Sequence, residues 1–157
     1  MKSGLNITAG IMNIILAAAL TVNTIIMLMC LFVCVAMPLL LPIWFLPFIL
    51  LVPLFGFIFV VSLSATVCNL IAGTGTLIST VKGGKISKTF AIISLVVDLV
   101  FIPSNALFFA YGVYAVSDAY NVNWLTVAIT AASSAAIILT VVSVILNAVS
   151  LRKMKKI

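Results

Sequence analysis

The sequence predicts an all-α integral membrane protein: four transmembrane helices in a bundle, with both termini on the cytoplasmic side. Three observations carry that prediction. The first is composition. With 66% hydrophobic and 6% charged residues and a mean hydropathy of +1.48, a water-soluble domain of this length would leave most of its apolar surface in water. The second is spacing. No residue between Lys2 and Lys82 is charged, a run far longer than the ~20 residues that cross a bilayer once, and two crossings fit it. The third is the placement of charge. Lys2 stands near the start, Lys82, Lys85 and Lys88 in the middle, and Arg152, Lys153, Lys155 and Lys156 near the end. With four spans all three groups fall on one side, which the positive-inside rule makes cytoplasmic. Trp44, Tyr111, Tyr114, Tyr120 and Trp124 fall near the other ends of the spans, where amphipathic rings favour the interface.

Span one is expected over about 7–35. Its apolar run continues past any signal-peptide cleavage point, so it reads as uncleaved. Pro38 and Pro42 then break the helix, since each lacks an N–H and disfavours helix in the residue before it. Span two is expected over about 43–71, with Pro47 tolerable near its start and Pro53, close to Gly56, bending it. The polar connection 73–88 turns at Gly83-Gly84 and puts its lysines at the inner leaflet. It is not a phosphate-binding loop: that motif needs Gly where Ser79 stands and Ser or Thr where Ile86 stands.

Span three is expected over 89–116, a short outer loop carries Asp118 and Asn121, span four covers 124–149, and the basic tail covers 150–157. The whole chain, 1–157, reads as a single transmembrane domain. Laying 5–20 over 86–101 pairs Thr8 with Thr89, Ile11 with Ile92 and Asn13 with Ser94. A 2+2 hairpin duplication is one reading of that similarity.

At 100° per residue each span carries a stripe of small and polar residues. The stripes are Asn6, Gly10, Asn13, Ala17 and Thr24; Ser62, Thr66, Asn69 and Gly73; Ser94, Asp98, Asn105 and Gly112; and Thr126, Thr130, Ser133 and Thr140. Such stripes face inward in a membrane bundle, where small residues allow close approach and polar ones find partners. Ala128, Ala132 and Ala136, at four-residue intervals, form a further packing face for the bundle or for a second copy.

Asp98 is different in kind. It lies ten positions beyond Lys88, which places it ~15 Å deep at the helical rise, and an acid there costs ~2.5–3.5 kcal/mol on the insertion scale. The chain has no His and no Lys or Arg at that depth, so its partners are expected to be neutral donors, with Thr130, Ser133 or Ser134 at comparable depth on span four. Pro103 frees the Leu99 carbonyl, so a helix opening beside Asp98, as at transport sites, is an alternative to a packing role.

These features lead to two functional expectations. The first is a non-catalytic membrane protein acting by helix packing and assembly: an accessory subunit, or an immunity- or holin-like protein. The alternative is a small ion- or proton-coupled transporter or channel using Asp98 beside the Pro103 break. Small multidrug exporters also have four spans and an intramembrane acid, but theirs is a glutamate in the first span, where this chain has none. Catalysis is not expected, because no nucleophile and base are paired, and neither a metal nor another cofactor is. Expected partners are the lipid bilayer, anionic headgroups at Lys82, Lys85, Lys88 and the C-terminal tail, and a second copy or another membrane protein; nucleic acid is not. A plasma or inner membrane is favoured over the endoplasmic reticulum, although the ending Lys153-Met154-Lys155-Lys156-Ile157 resembles the dilysine retrieval signal.

Overall fold

The computed structural model describes Lys2–Leu40, Leu46–Val81, Ser87–Ser117 and Trp124–Met154, four α-helices numbered α1 to α4 in that order. Each contains a stretch long and apolar enough to cross a membrane: Gly4–Val33, Val52–Val81, Lys88–Tyr114 and Trp124–Arg152. Pro42, Trp44, Lys82, Gly83, Gly84, Lys85, Asp118, Tyr120, Asn121, Lys155, Lys156 and Ile157, named above, lie outside the described residues, as do the side chains of Pro38, Pro47 and Lys153.

Helices α1 and α3 each pack against both α2 and α4, so the bundle closes on itself. The Ser150 hydroxyl, near the end of α4, donates to Asn6 Oδ1, near the start of α1, at 2.7 Å. The first and last helix ends therefore lie together at one end of the bundle, the terminal end. Tyr114 and Trp124, both largely exposed, mark the other.

The packing inverts the pattern of a water-soluble bundle. Among the described residues the buried polar side chains outnumber the buried apolar ones, while Phe32, Phe57, Val60 and Ile138 are more than half exposed. That exterior suits lipid, and the helices satisfy their own backbone groups, as lipid requires. Inside, layers alternate. From the terminal end, a polar cluster of Asn13, Asn69, Ser94, Asp98, Ser143 and Asn147 is followed by an apolar layer of Leu16, Leu20, Ala65, Phe101 and Ala136. Next come Asn23, Asn105, Thr24 and Ser62, and then a second apolar layer of Met27, Cys30, Phe55, Ile58, Phe108 and Ile129. There the Phe55 ring stands edge-on to Phe108 and Tyr111, with centroids 5.8 and 5.3 Å apart, an arrangement favoured by the ring quadrupoles.

Several helix ends differ from the sequence reading. Helix α2 runs to Val81, so most of the expected loop 73–88 is helical and the second apolar stretch shifts to Val52–Val81. Gly73 is a crossing point rather than a terminator: a Cβ on it would lie 2.8 Å from the Gly10 carbonyl oxygen. Backbone contact between α1 and α2, extended by buried Ala72, Thr76 and Ser79, offsets the ~1 kcal/mol helix penalty of the glycine. Helix α1 continues through Pro38 to Leu40; a proline in the last turn forfeits one helical bond, and the helix ends two residues on. Helix α1 also starts by Lys2 and α4 continues to Met154, so the basic tail begins as helix.

Candidate functional site

Asp98 is fully buried at the centre of a cluster to which all four helices contribute. Its Oδ1 accepts from Asn69 Nδ2 of α2 at 2.7 Å. Its Oδ2 accepts from the Ser143 hydroxyl of α4 at 2.8 Å, with the Ser94 hydroxyl one turn back on α3 at 3.4 Å. Asn13 of α1 completes the ring, its Oδ1 accepting from Ser143 at 2.9 Å and from Asn147 Nδ2 at 3.0 Å. Among the described residues no three of His, Cys, Asp and Glu converge to hold a metal ion.

The cluster has more contacts than protons. Ser143 stands within bonding distance of both Asp98 Oδ2 and Asn13 Oδ1, yet a hydroxyl carries one proton. With Asp98 ionised, Ser143 donates to it and Asn13 keeps only Asn147. With a proton on Oδ2, Asp98 donates to Ser143, and Ser143 passes its own proton toward Asn13. Ser94 is placed alike, 2.8 Å from Asn69 Oδ1 and 3.4 Å from Asp98 Oδ2. The ring therefore has two satisfiable hydrogen-bond directions with the same heavy-atom positions.

A second polar layer lies beyond Phe101. Asn23 Nδ2 donates to Asn105 Oδ1 at 2.9 Å, Asn105 Nδ2 donates to the Ser133 carbonyl of α4 at 3.0 Å, and the Thr24 and Ser62 hydroxyls meet at 2.8 Å. Among the described residues four buried atoms, Asn13 Nδ2, Asn23 Oδ1, Thr76 Oγ1 and Ser133 Oγ, have no protein partner.

All the stripe residues named from the sequence are buried or half-buried. The donors to Asp98 expected on span four are not at Thr130, Ser133 or Ser134. Thr130 and Ser134 donate to carbonyls of their own helix, at Thr126 and Ala131, and the Ser133 hydroxyl is unpartnered. The α3–α4 hairpin pairs residues equidistant from its turn, Gly112 with Thr130 and Asp98 with Ser143. Counting depth from each bilayer surface misses this, because helices of 31 residues are longer than the ~20 that span the hydrocarbon. Ser143 and Asn147 extend the α4 stripe, and the seven-residue spacing of Ser133, Thr140 and Asn147 was the available signal.

The expected opening at Pro103 also differs. The residue lies inside a continuous α3, and both it and Leu99, whose carbonyl it frees, are exposed while Asp98 is buried. The freed carbonyl therefore lies on the outer face of the helix. Pro53 is likewise inside α2 and exposed. Of the alanine face, Ala128 and Ala132 are half-buried, while Ala136 is consumed by the bundle's own core against Leu16, Leu20 and Phe101.

The chain matches no protein-family model, and neither curated proteins nor solved structures show significant similarity to it.

Proposed function

We propose that this chain is a small, non-catalytic, multi-pass membrane protein that acts by helix packing and assembly within the bilayer, as an accessory or assembly component or in an immunity- or holin-like role. One observation carries the reading: Asp98 is fully enclosed and bonded to neutral donors on α2, α3 and α4. That is the arrangement of an interhelical staple. A buried acid engaged on both oxygens holds helices in register and height, and a polar partner inside a membrane bundle specifies which faces meet.

The basic clusters support an orientation with both termini in the cytoplasm, and a plasma or inner membrane belongs to the same proposal. A membrane-protein partner or a second copy is part of the reading, since the exposed side chains of the four helices are largely apolar. The shared height of Asn13 and Ser94 in the polar ring agrees with their pairing in the 2+2 hairpin duplication.

A second reading, ion or proton movement through Asp98, is favoured by the four unpartnered buried atoms in the two polar layers and at the terminal end of α2. Such atoms suit an interior that exchanges hydrogen-bond partners. The two readings separate in proteoliposomes holding wild type or Asp98→Asn at equal density, assayed for proton and cation flux. The packing reading expects wild type and Asp98→Asn to behave alike; flux in wild type that disappears in Asp98→Asn overturns it in favour of transport.

A further inference from the structure

At the terminal end, α3 and α4 border a side-opening groove of about 400 Å³, within the ~300–1,000 Å³ range of small-ligand sites. Its lining is divided by chemistry. Lys88, the second residue of α3, and Arg152, the third from the end of α4, stand at its mouth; Ile92, Leu95, Ala148 and Leu151 line it further from the helix ends. Both cations are exposed. The one acid among the described residues, Asp98, is buried and engaged on both oxygens, so it does not neutralise them.

Two cations at the water-facing end of an apolar slot between membrane helices match an amphiphile with an anionic head. The geometry points to a site for one acidic phospholipid, its phosphate between Arg152 and Lys88 and an acyl chain along Ile92, Leu95 and Ala148. Guanidinium takes phosphate oxygens in a bidentate fork, and the lysine adds a point charge. A second copy of the chain is the poorer occupant, because a symmetric contact here would set Lys88 and Arg152 against their own equivalents. The inference rests on the membrane-embedded reading and deepens its lipid contacts. Diffuse attraction of a basic segment to an anionic leaflet needs no groove, whereas this site does.

The test is native mass spectrometry of protein released from nanodiscs of equimolar phosphatidylglycerol and phosphatidylcholine, with thermal midpoints measured for every variant. The wild type is expected to retain one phosphatidylglycerol in preference to phosphatidylcholine. Lys88→Gln with Arg152→Gln should reduce retention at least tenfold. Ala148→Trp, which fills the apolar part without changing charge at an exposed position, should reduce it comparably with the midpoint unchanged. Inorganic phosphate at millimolar concentration should not displace the lipid. Wild-type retention by Ala148→Trp, equal retention of the two lipids, or displacement by inorganic phosphate would each overturn the lipid site while leaving the membrane reading intact. A chain that does not enter nanodiscs at all overturns both.

Discussion

Asn23 of α1 and Asn105 of α3 share a hydrogen bond across the diagonal of the bundle, Nδ2 to Oδ1 at 2.9 Å, although α1 and α3 are not packing neighbours. The bond ties together two helices that each pack mainly against α2 and α4. Replacing each by Leu, singly and together, should give a coupling of about 0.6 kcal/mol and no more than about 1.7 in a double-mutant cycle of unfolding in bilayer-like detergent. Additive single effects would show that the bond carries no coupling.

The ring around Asp98 should distinguish Asn from Ala. Asn at 98 can accept from Asn69 with its oxygen and donate to Ser143 with its nitrogen, which leaves Ser143 free to donate to Asn13. Asp98→Asn should therefore cost under about 1 kcal/mol. Asp98→Ala lets Ser143 turn to Asn13 Oδ1 but leaves one buried N–H of Asn69 without its acceptor, and should cost about 1–3 kcal/mol. Equal losses from the two substitutions would count against a packing role satisfied by hydrogen bonding alone.

Glycines at 10 and 73 are required by contact and Gly56 is not. A Cβ on Gly73 meets backbone of α1, whereas one on Gly56 meets nothing within 4 Å. Gly73→Val should lower the thermal midpoint sharply, and Gly56→Ala should hold or raise it, by up to about 1 kcal/mol of helix propensity. Circular dichroism melts of both variants test the pair, and a tolerated Gly73→Val would count against close backbone contact between α1 and α2 at this glycine.

Orientation has its own check. In a background with Cys30, Cys34 and Cys68 replaced by Ala, a single cysteine at Arg152 should react with a membrane-impermeant maleimide only from the cytoplasmic side. One at Trp124, at the other end of the bundle, should react only from outside. The reverse pattern would invert the proposed topology.

The four helices and their inward stripes were legible because lipid leaves few options: a long apolar run must be helical, and its polar residues must face one another. The partners of Asp98 were not, because they depend on the relative height of four helices. Asn69 lies on the polar stripe of span two, yet nothing local ties its height to residue 98, and Ser143 lies beyond Thr140, where the stripe named for span four ends. Helix ends were misread for a related reason. Gly73 has the composition of a terminator, and only the approach of Gly10 on another helix shows why the chain continues through it.

The polar side chains divide into those content alone and those that need company, and this bears on biogenesis. Thr21, Ser64, Thr74 and Ser104 donate to carbonyls of their own helix, so they enter the membrane already satisfied. Asp98 has no such recourse for its Oδ1, which relies on Asn69 of α2, or for its short Oδ2 contact, which relies on Ser143 of α4. As the nascent chain emerges, Asn69 precedes Asp98 into the bilayer and Ser143 follows it. The ring around Asp98 therefore cannot close on α2 and α3 alone: its short Oδ2 contact requires α4.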